Sequence, residues 1–283
     1  MTMLIDGDIL VYSVANACES RWYEIEDPET GFINNYKGKL DVKKHCPWVD
    51  TTTLVPNRSC VGEEVAVKIT RDMINSWSRK LGTAGYGYRM FLTDSDINNN
   101  FRKKLCPSYK ENRKGLIKPI LYQFMRDHLM DKYEGEMVTG YEADDALGIA
   151  QDAESVIVSK DKDLLQVPGN HYNITSGKLI VATNKGSLTL KRDKAGKPRL
   201  TGTGFKFFCA QMLLGDGVDN IKGINRYGPV KVHGLLSKLR SKDKMWEAVR
   251  RVYEDKDRDD ILTNAQLLWI LREEGGYFSE EKI

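Results

Sequence analysis

Acidic side chains recur in short groups directly after apolar runs of this sequence. Seven of them follow four segments that are predicted to be buried strands: Asp6, Asp94, Glu142, Asp144, Asp145, Asp161 and Asp163. The carboxyl ends of parallel strands meet at one edge of a sheet, so these carboxylates are expected to lie close together. Like charges in such proximity repel one another, and divalent cations would relieve the repulsion. The spacing therefore predicts an acidic metal site.

The donor atoms indicate which metal would bind. The acidic groups contain no histidine or cysteine, and oxygen ligands favour Mg²⁺ or Mn²⁺ over zinc. A further pair, Asp216 and Asp219, lies three residues apart, as one helical turn would place them, and would close the far side of the site. A single aspartate after a strand is more often a turn or cap residue. That simpler interpretation is preferred for Asp8 and Asp96, because each follows a stronger candidate by two residues.

Basic residues are segregated from the acidic groups. The chain has 43 Lys and Arg against 40 Asp and Glu, a net charge of +3. Residues 102–118 hold seven of the basic residues with one acid, and residues 222–251 hold nine with two acids. Separate basic segments and an acidic focus suit a polyanionic partner that must be held and also presented to cations.

The first basic segment is predicted to form a loop or arch, over about residues 98–118, above the acidic site. Lys110 and Arg113, three residues apart, would present two cations to one phosphate, and Tyr109 would stack on a base. The alternative is a solvated run of charge. That alternative explains the composition of the segment but gives no reason for the aromatic residue.

The second basic segment begins with a glycine-rich turn. Gly223 and Gly228 bring the backbone close to a partner, and a helix is predicted to start at Pro229. A helix N-terminus preceded by a glycine turn binds phosphate. The basic residues of the segment, Lys222, Arg226 and Lys231, add attraction that does not depend on base sequence.

Strands alternate with helices through the first two thirds of the chain. This order predicts an α/β fold with a mainly parallel central sheet flanked by helices. Residues 63–80 space Val65, Ile69, Met73 and Trp77 four apart, as in an amphipathic helix that ends before Gly82. Pro119 is expected to open another helix. Four further helices are predicted at 205–214, 229–239, 244–252 and 261–272. We therefore predict an α/β domain at 1–204 and a helical lobe at 205–283.

Residues 31–60 show no sustained period and are predicted to form a hairpin or long loop. The five cysteines are scattered without a CxxC pair, which favours reduced thiols; a partial zinc site of His45, Cys46 and Cys60 is a weaker alternative. No apolar run approaches the length of a membrane span, and the acidic N-terminus does not resemble a signal peptide. These features predict a cytoplasmic protein.

The order of the motifs resembles the 5′-nuclease family, which includes flap endonucleases, the small domain of DNA polymerase I and phage 5′-to-3′ exonucleases. The matching segments are IDGD at Asp6, LTDSD at Asp94, PSYKENRKG around Lys110, YEADDAL at Glu142, SKDKDLL at Asp161 and LLGDGVDNIKGI at Asp216. The PSYKENR segment and the short length are most similar to the phage exonuclease branch. The resemblance covers most of the chain.

The resemblance implies a PIN-like nuclease fold with a C-terminal helix-hairpin-helix lobe. It implies one metal region of Asp6, Asp94, Glu142, Asp144 and Asp145 and another of Asp161, Asp163, Asp216 and Asp219. Lys110 and Arg113 would steer the scissile phosphate. The turn at 223–229 would grip the duplex backbone, and a K⁺ ion there is also implied.

The expected activity is two-metal hydrolysis of DNA with a 5′ end or flap, by a monomer, to give 5′-phosphate products, and cleavage of the RNA in RNA–DNA hybrids is a further expectation. Two rival functions fit the same residues: a metal-dependent ribonuclease, and a non-catalytic duplex-binding protein with structural acids. The balance between exonuclease and flap activity is not fixed by the sequence.

Overall fold

The fold is built around one mainly parallel sheet, described here from a computed structural model that covers residues 1–83 and 87–283. The sheet runs β6-β5-β1-β7-β8-β9, and its strands are parallel except for the last. Numbered in chain order, they are β1 (Thr2–Asp6), β5 (Tyr88–Thr93), β6 (Glu136–Val138), β7 (Ser155–Ser159), β8 (Gly169–Asn173) and β9 (Lys178–Ala182). The predicted α/β class with a mainly parallel sheet is confirmed.

Helices cover both faces of this sheet. On one face, α1 (Gly7–Ala17), α3 (Glu63–Leu81) and α5 (Tyr122–Lys132) share a core with β1, β5 and β7. On the other face, α6 (Ala143–Ala150) packs with the apolar residues Phe91, Ile157 and Ile270. All five residues of β7 are buried, as expected of a central parallel strand covered on both faces.

The C-terminal region forms a helical lobe with its own core. Its helices are α7 (Gly204–Leu214), α8 (Pro229–Leu236), α9 (Lys242–Glu254) and α10 (Ile261–Leu268), and Phe208 and Trp246 stack within the core. A short ladder of β12 (Gly215–Asp216) and β13 (Ile221–Lys222) joins α7 to α8. The hairpin of β10 (Ser187–Arg192) and β11 (Pro198–Thr203) packs on this lobe through Leu188 and Leu200.

The segment after α1 was predicted to be a hairpin or long loop, and the structure has a hairpin there that belongs to a larger sheet. Antiparallel strands β2 (Glu19–Glu26), β3 (Ile33–Tyr36) and β4 (Asn57–Cys60) form a small sheet in the order β3-β2-β4, with α2 (Lys39–His45) beside it. Ile25, Val42 and Cys46 form its core. The core is built from residues far apart in sequence, so no local periodicity indicated it.

The structure does not support the alternative zinc site of His45, Cys46 and Cys60. Cys46 lies in the core of the small sheet, and its thiol is directed at the Tyr36 hydroxyl. The five cysteines are free, as predicted. Within residues 1–83 and 87–283, no helix is long and apolar enough to cross a membrane.

The helix predictions differ from the structure mainly at the ends. Helix α3 ends at Gly82, which has the left-handed backbone conformation that glycine favours. Its buried residues are Ala66, Thr70, Ile74 and Trp77. The first three are each one residue after the predicted position, and Trp77 is as predicted. The helix expected at Pro119 begins only at Tyr122, after a turn. The last predicted helix stops at Leu268 instead of residue 272, because the following residues pack extended against α6.

The close approach of α6 and residues 270–271 makes a testable prediction. A Cβ on Gly148 would lie 2.2 Å from the Leu271 carbonyl oxygen, whereas a Cβ on Gly234, in α8, meets nothing within 4 Å. Overpacking costs about 1–3 kcal/mol, so Gly148→Ala should lower the urea midpoint. Gly234→Ala should raise it, since alanine favours a helix by about 1 kcal/mol. Equal midpoints for the two variants would contradict the packing described.

Candidate functional site

A cavity of about 730 Å³ opens at the carboxyl ends of β6, β5, β1 and β7. These four strands are adjacent in the sheet, so the residues that follow them share one wall. Eight of the nine acidic residues predicted as metal ligands line the cavity: Asp6, Asp94, Glu142, Asp144, Asp161, Asp163, Asp216 and Asp219. The last two reach it from the β12–β13 ladder of the lobe.

Asp6 occupies the centre of this arrangement, at the junction of β1 and α1. One carboxylate oxygen caps α1 by accepting from the Ile9 backbone N–H at 2.9 Å, and the other accepts from the Ser159 hydroxyl at 2.7 Å. Burial, together with the charge of Asp8, raises the pKa of Asp6 to about 7. The group is therefore costly to ionise without a cation nearby.

Asp144 and Asp163 are also costly to ionise without a cation nearby. Burial and the charges of Asp161 and Asp6 raise the pKa of Asp144 well above its usual range, and Asp144 accepts no hydrogen bond from the residues that the structure describes. Burial and Asp161 raise the pKa of Asp163 to about 7, against the opposing effect of Lys162. This half of the cavity wall has more negative charge than its neighbouring cations neutralise.

The opposite half of the wall is neutralised by the chain itself. The Lys110 ammonium pairs with Glu142 and lies 3.8 Å from Asp219, and the Arg113 guanidinium pairs with Asp219 at 2.5 Å. Burial acts to raise the pKa of Glu142, but Lys110 and Arg102 hold it at about 2. Glu142 is therefore an ionised partner of Lys110 in this structure.

Lys110 and Arg113 are held there because their segment docks on the β12–β13 turn. The side chains of Asn112 and Arg113 donate to the carbonyls of Gly217 and Val218, and the Lys110 N–H donates to the Asp219 carbonyl. The basic segment thus bridges from the sheet edge to the lobe across the cavity.

Asp8, Asp94 and Asp96 occupy the β5 side of the cavity. Asp94 accepts from the Asp96 N–H and from Asn99, and these bonds lower its pKa. Asp8 accepts from the Thr93 N–H and pairs with Arg126, and Asp96 caps the turn after it. Asp96 is thus a cap residue, as the sequence favoured, whereas Asp8 is held by an ion pair instead of acting as a cap.

The structure corrects the prediction that Asp145 is a metal ligand. Asp145 is fully buried, and the Arg102 guanidinium contacts both of its oxygens, at 2.5 and 2.8 Å. Its carboxylate also accepts from the backbone N–H groups of Glu142 and Leu271. Asp145 follows Asp144 on a helix, and the two side chains point in different directions, so only Asp144 reaches the cavity.

Tyr109 is also placed differently from the prediction. Only 1% of the residue is exposed, so no base can stack on its ring. Its hydroxyl lies 3.0 Å from Glu142 and 3.1 Å from Asp219, and it ties the basic segment to the acidic wall. The aromatic residue in this segment has a structural explanation.

The donor set fits a cation that prefers oxygen ligands, but the carboxylates are not arranged as a finished coordination shell. Within residues 1–83 and 87–283, no group of three or more acidic, histidine or cysteine side chains is arranged to hold a metal ion. Their oxygens are engaged elsewhere: Asp163 accepts from Gln211 at 2.5 Å, and Lys162 lies 3.2 Å from Asp163 and 3.4 Å from Asp216.

Sequence reasoning missed Arg102, Arg126, Lys162 and Gln211. The sequence does indicate Lys162, because it lies between two predicted ligands, Asp161 and Asp163, in the segment KDKD.

Apart from Tyr109, the residues predicted to contact DNA lie at the turn before α8 and in the first turn of that helix. Lys222, Arg226 and Lys231 are exposed, and the Lys231 ammonium lies 3.8 Å from the centre of the Tyr227 ring. Gly223 has a packing role, because a Cβ there would lie 2.2 Å from the Leu214 carbonyl oxygen. Gly228 has open space around it and precedes Pro229 as the N-cap of α8.

Comparison with known proteins agrees with this architecture. Residues 56–194 match the family model of the 5′-3′ exonuclease N-terminal resolvase-like domain. Just under half of the chain is therefore similar to the 5′-3′ exonuclease family. The matched residues include Asp94, Glu142, Asp144, Asp161 and Asp163. The predicted family resemblance is thereby confirmed.

Two phage proteins illustrate the similarity. The exonuclease of Escherichia phage T7 is 32% identical over 138 residues, 44% of this chain and 45% of that protein. The exodeoxyribonuclease of Enterobacteria phage T3 is 26% identical over 250 residues, 78% of this chain and 81% of that protein. The chain spans only 17% to 54% of the length of several other relatives.

A solved structure, of the T5 D15 protein co-crystallised with metal ions, aligns with a TM-score of 0.46 and 13% identity over 94% of this chain and 93% of that chain.

The two neighbouring aspartates of α6 should respond oppositely to substitution. Asp145→Ala leaves the Arg102 guanidinium buried without its partner, and such a loss costs about 3–5 kcal/mol. Asp144→Ala removes a repelling charge and no hydrogen bond, so in EDTA it should be at least as stable as the parent. Urea unfolding of both variants tests this. A stable Asp145→Ala protein would contradict the structural role of Asp145.

The raised pKa of Asp6 predicts a pH dependence. The folded state holds a proton on Asp6 up to about pH 7, while the unfolded state loses it near the ordinary value of 3.8. Stability contributed by Asp6 is therefore present at low pH and lost as pH rises from about 4 to 7. Asn also caps helices, so Asp6→Asn is a matched control. In EDTA, the parent should lose stability relative to this variant across that range; parallel pH profiles would refute the shift.

Proposed function

We propose that this protein is a divalent-metal-dependent nuclease that hydrolyses DNA at a 5′ end or 5′ flap and leaves 5′-phosphate products. The observation that carries the proposal is the shared cavity. Its acidic wall follows four adjacent strands, and its rim holds the basic side chains Lys103, Lys110, Arg113, Lys114 and Lys118. A phosphodiester entering between the two would meet cations on one side and carboxylates that require cations on the other.

The metal ions, Mg²⁺ or Mn²⁺, would bind at the half of the wall where negative charge exceeds positive charge. Asp6, Asp144, Asp161 and Asp163 repel one another there, and Lys162 and Lys110 offset only part of this repulsion. Asp94, Glu142, Asp216 and Asp219 complete the proposed ligand set. Two divalent ions so held would supply Lewis-acid charge and lower the pKa of a bound water. The carboxylates then act as ligands and need not take a proton.

Arg113 and Lys110 would have different tasks. The Arg113 side chain is 43% exposed and would donate to a phosphate oxygen through the N–H groups that its bonds to Asp219 and the Val218 carbonyl leave over. The Lys110 side chain is 14% exposed and lies between Glu142 and Asp219. Lys110 would therefore orient Glu142 and place positive charge at the inner end of the phosphate path. The turn before α8, with Lys222 and Arg226, would hold the duplex backbone together with Lys231 of α8. A K⁺ ion at this turn is part of the proposal.

Cleavage of a 5′-labelled flap duplex tests the proposal. With Mg²⁺, mononucleotides or short 5′ fragments should appear, and with EDTA none should. Lys110→Ala should lower turnover by roughly 10²–10³-fold, the usual loss when one charge-stabilising donor is removed. Lys104→Ala is the matched control, because Lys104 is exposed on the same segment and does not line the cavity.

Two other outcomes would each contradict the proposal. Faster cleavage of an RNA flap of the same sequence would favour a ribonuclease with the same acidic wall. Tight duplex binding without any Mg²⁺-dependent product would favour a non-catalytic duplex-binding protein.

A further inference from the structure

The hairpin of β10 and β11 carries a concentration of positive charge that the proposed site does not use. Residues 185–199 contain six basic residues and one acid, Asp193. The basic residues are Lys185, Lys191, Arg192, Lys194, Lys197 and Arg199. Among the described residues, Asp193 forms an ion pair only with Arg199, at 3.2 Å. The four lysines have no ion-pair partner within residues 1–83 and 87–283.

The two faces of the hairpin differ sharply. Leu190 and Leu200 are opposite each other on one face, and Leu188 and Leu200 pack against the lobe core that contains α7 and α8. Lys191 and Arg199 are opposite each other on the other face, next to the pair Thr189 and Thr201. Side chains alternate between faces along a strand, so all four of these residues face away from the lobe and are exposed.

The directly opposed cations are unfavourable for the hairpin itself. Opposite residues on one face of an antiparallel pair have Cβ atoms about 4.5–5.5 Å apart, and like charges at that distance destabilise the pair. An isolated two-stranded ribbon is also only marginally stable, so the attachment of this one to the lobe matters. The hairpin keeps the repulsion between Lys191 and Arg199 because its other face is attached to the lobe. A polyanion bound across the outer face would neutralise this repulsion, which gives the opposed cations a function.

The base of the hairpin is fixed in position. Gly186 and Gly204 both have positive φ, and a Cβ on Gly186 would lie 1.6 Å from the Thr203 carbonyl oxygen. At the other end, Asp193 accepts from the N–H groups of Ala195 and Lys197 and closes the turn. The lysines at the tip, Lys194 and Lys197, are therefore carried on a short, closed turn.

We propose that the outer face and tip of this hairpin bind the phosphate backbone of the DNA duplex, as an extension of the surface formed by α8. The hairpin packs directly on α8, which carries Lys231 and begins at the basic turn. The two elements therefore carry exposed basic side chains on adjoining parts of the lobe. This inference rests on the proposed function for the identity of the polyanion, but it assigns a separate element to binding.

The test measures how affinity for a 5′-fluorescein-labelled 30-base-pair duplex depends on KCl, by anisotropy in EDTA. The test variant is Lys191→Ala, Lys194→Ala, Lys197→Ala, which breaks no ion pair. Each lost phosphate contact should reduce the slope of log K against log salt by about 0.9, so the slope should fall by roughly 2–3 units. Affinity at 100 mM KCl should fall at least about tenfold.

The control removes three basic residues elsewhere: Lys68→Ala, Arg71→Ala, Lys80→Ala on α3, which packs in the sheet core. The control should keep the slope and the urea midpoint of the parent. The hairpin variant loses the repulsion between Lys191 and Arg199, so its urea midpoint should be no lower than that of the parent. A hairpin variant with the slope of the parent, or a control with an equal loss, would overturn the inference.

Binding and cleavage measurements on the parent protein distinguish failure of this inference from failure of the nuclease proposal. If it binds duplex with the hairpin-dependent slope but does not cleave a flap in Mg²⁺, the nuclease proposal fails and the hairpin assignment stands. If it binds no duplex, both fail.

Discussion

Electrostatic repulsion among carboxylates at the edge of the parallel sheet governs the arrangement of the residues around it. The strand order β6-β5-β1-β7 makes the crowding unavoidable, because each strand ends in acidic residues at the same edge. Buried carboxylates whose repulsion is not balanced by nearby cations keep their protons to higher pH, and Asp6 and Asp163, with pKa values of about 7, are in this state. Where the chain supplies a cation, as Lys110 does for Glu142, the carboxylate is ionised.

The buried pair of Arg102 and Asp145 connects the parts of the molecule that form this edge. Arg102 lies on α4 (Phe101–Leu105), at the start of the basic segment, and also donates to the carbonyls of Leu267 and Trp269. Asp145 receives the Leu271 N–H. One ion pair thus joins the sheet edge, the basic segment and the end of the lobe. The Asp145 carboxylate, which the sequence places among the metal ligands, instead holds these neighbouring segments in position.

Local patterns in the sequence were sufficient to predict the parallel sheet, most of the helices and the acidic wall. Apolar runs that end in acids identify strand ends, and the parallel class then places those ends together. Three features depended on contacts that the sequence does not display. Asp144 and Asp145 are chemically identical, and only packing separates the one that reaches the cavity from the one that meets Arg102. Tyr109 was assigned to an exposed loop, but its segment docks on the turn at 217–220. The small sheet after α1 has a core whose members lie too far apart to show a period.

The central claim is that the acidic wall binds divalent cations in place of protons. Calorimetric titration of the metal-free protein with Mn²⁺ at pH 7, in two buffers with different ionisation enthalpies, tests it directly. The account predicts binding with net release of protons, because Asp6 and Asp163 are about half protonated at that pH. It also predicts a large loss of affinity in Asp144→Asn. Binding that releases no protons, or no binding at millimolar Mn²⁺, would contradict the account.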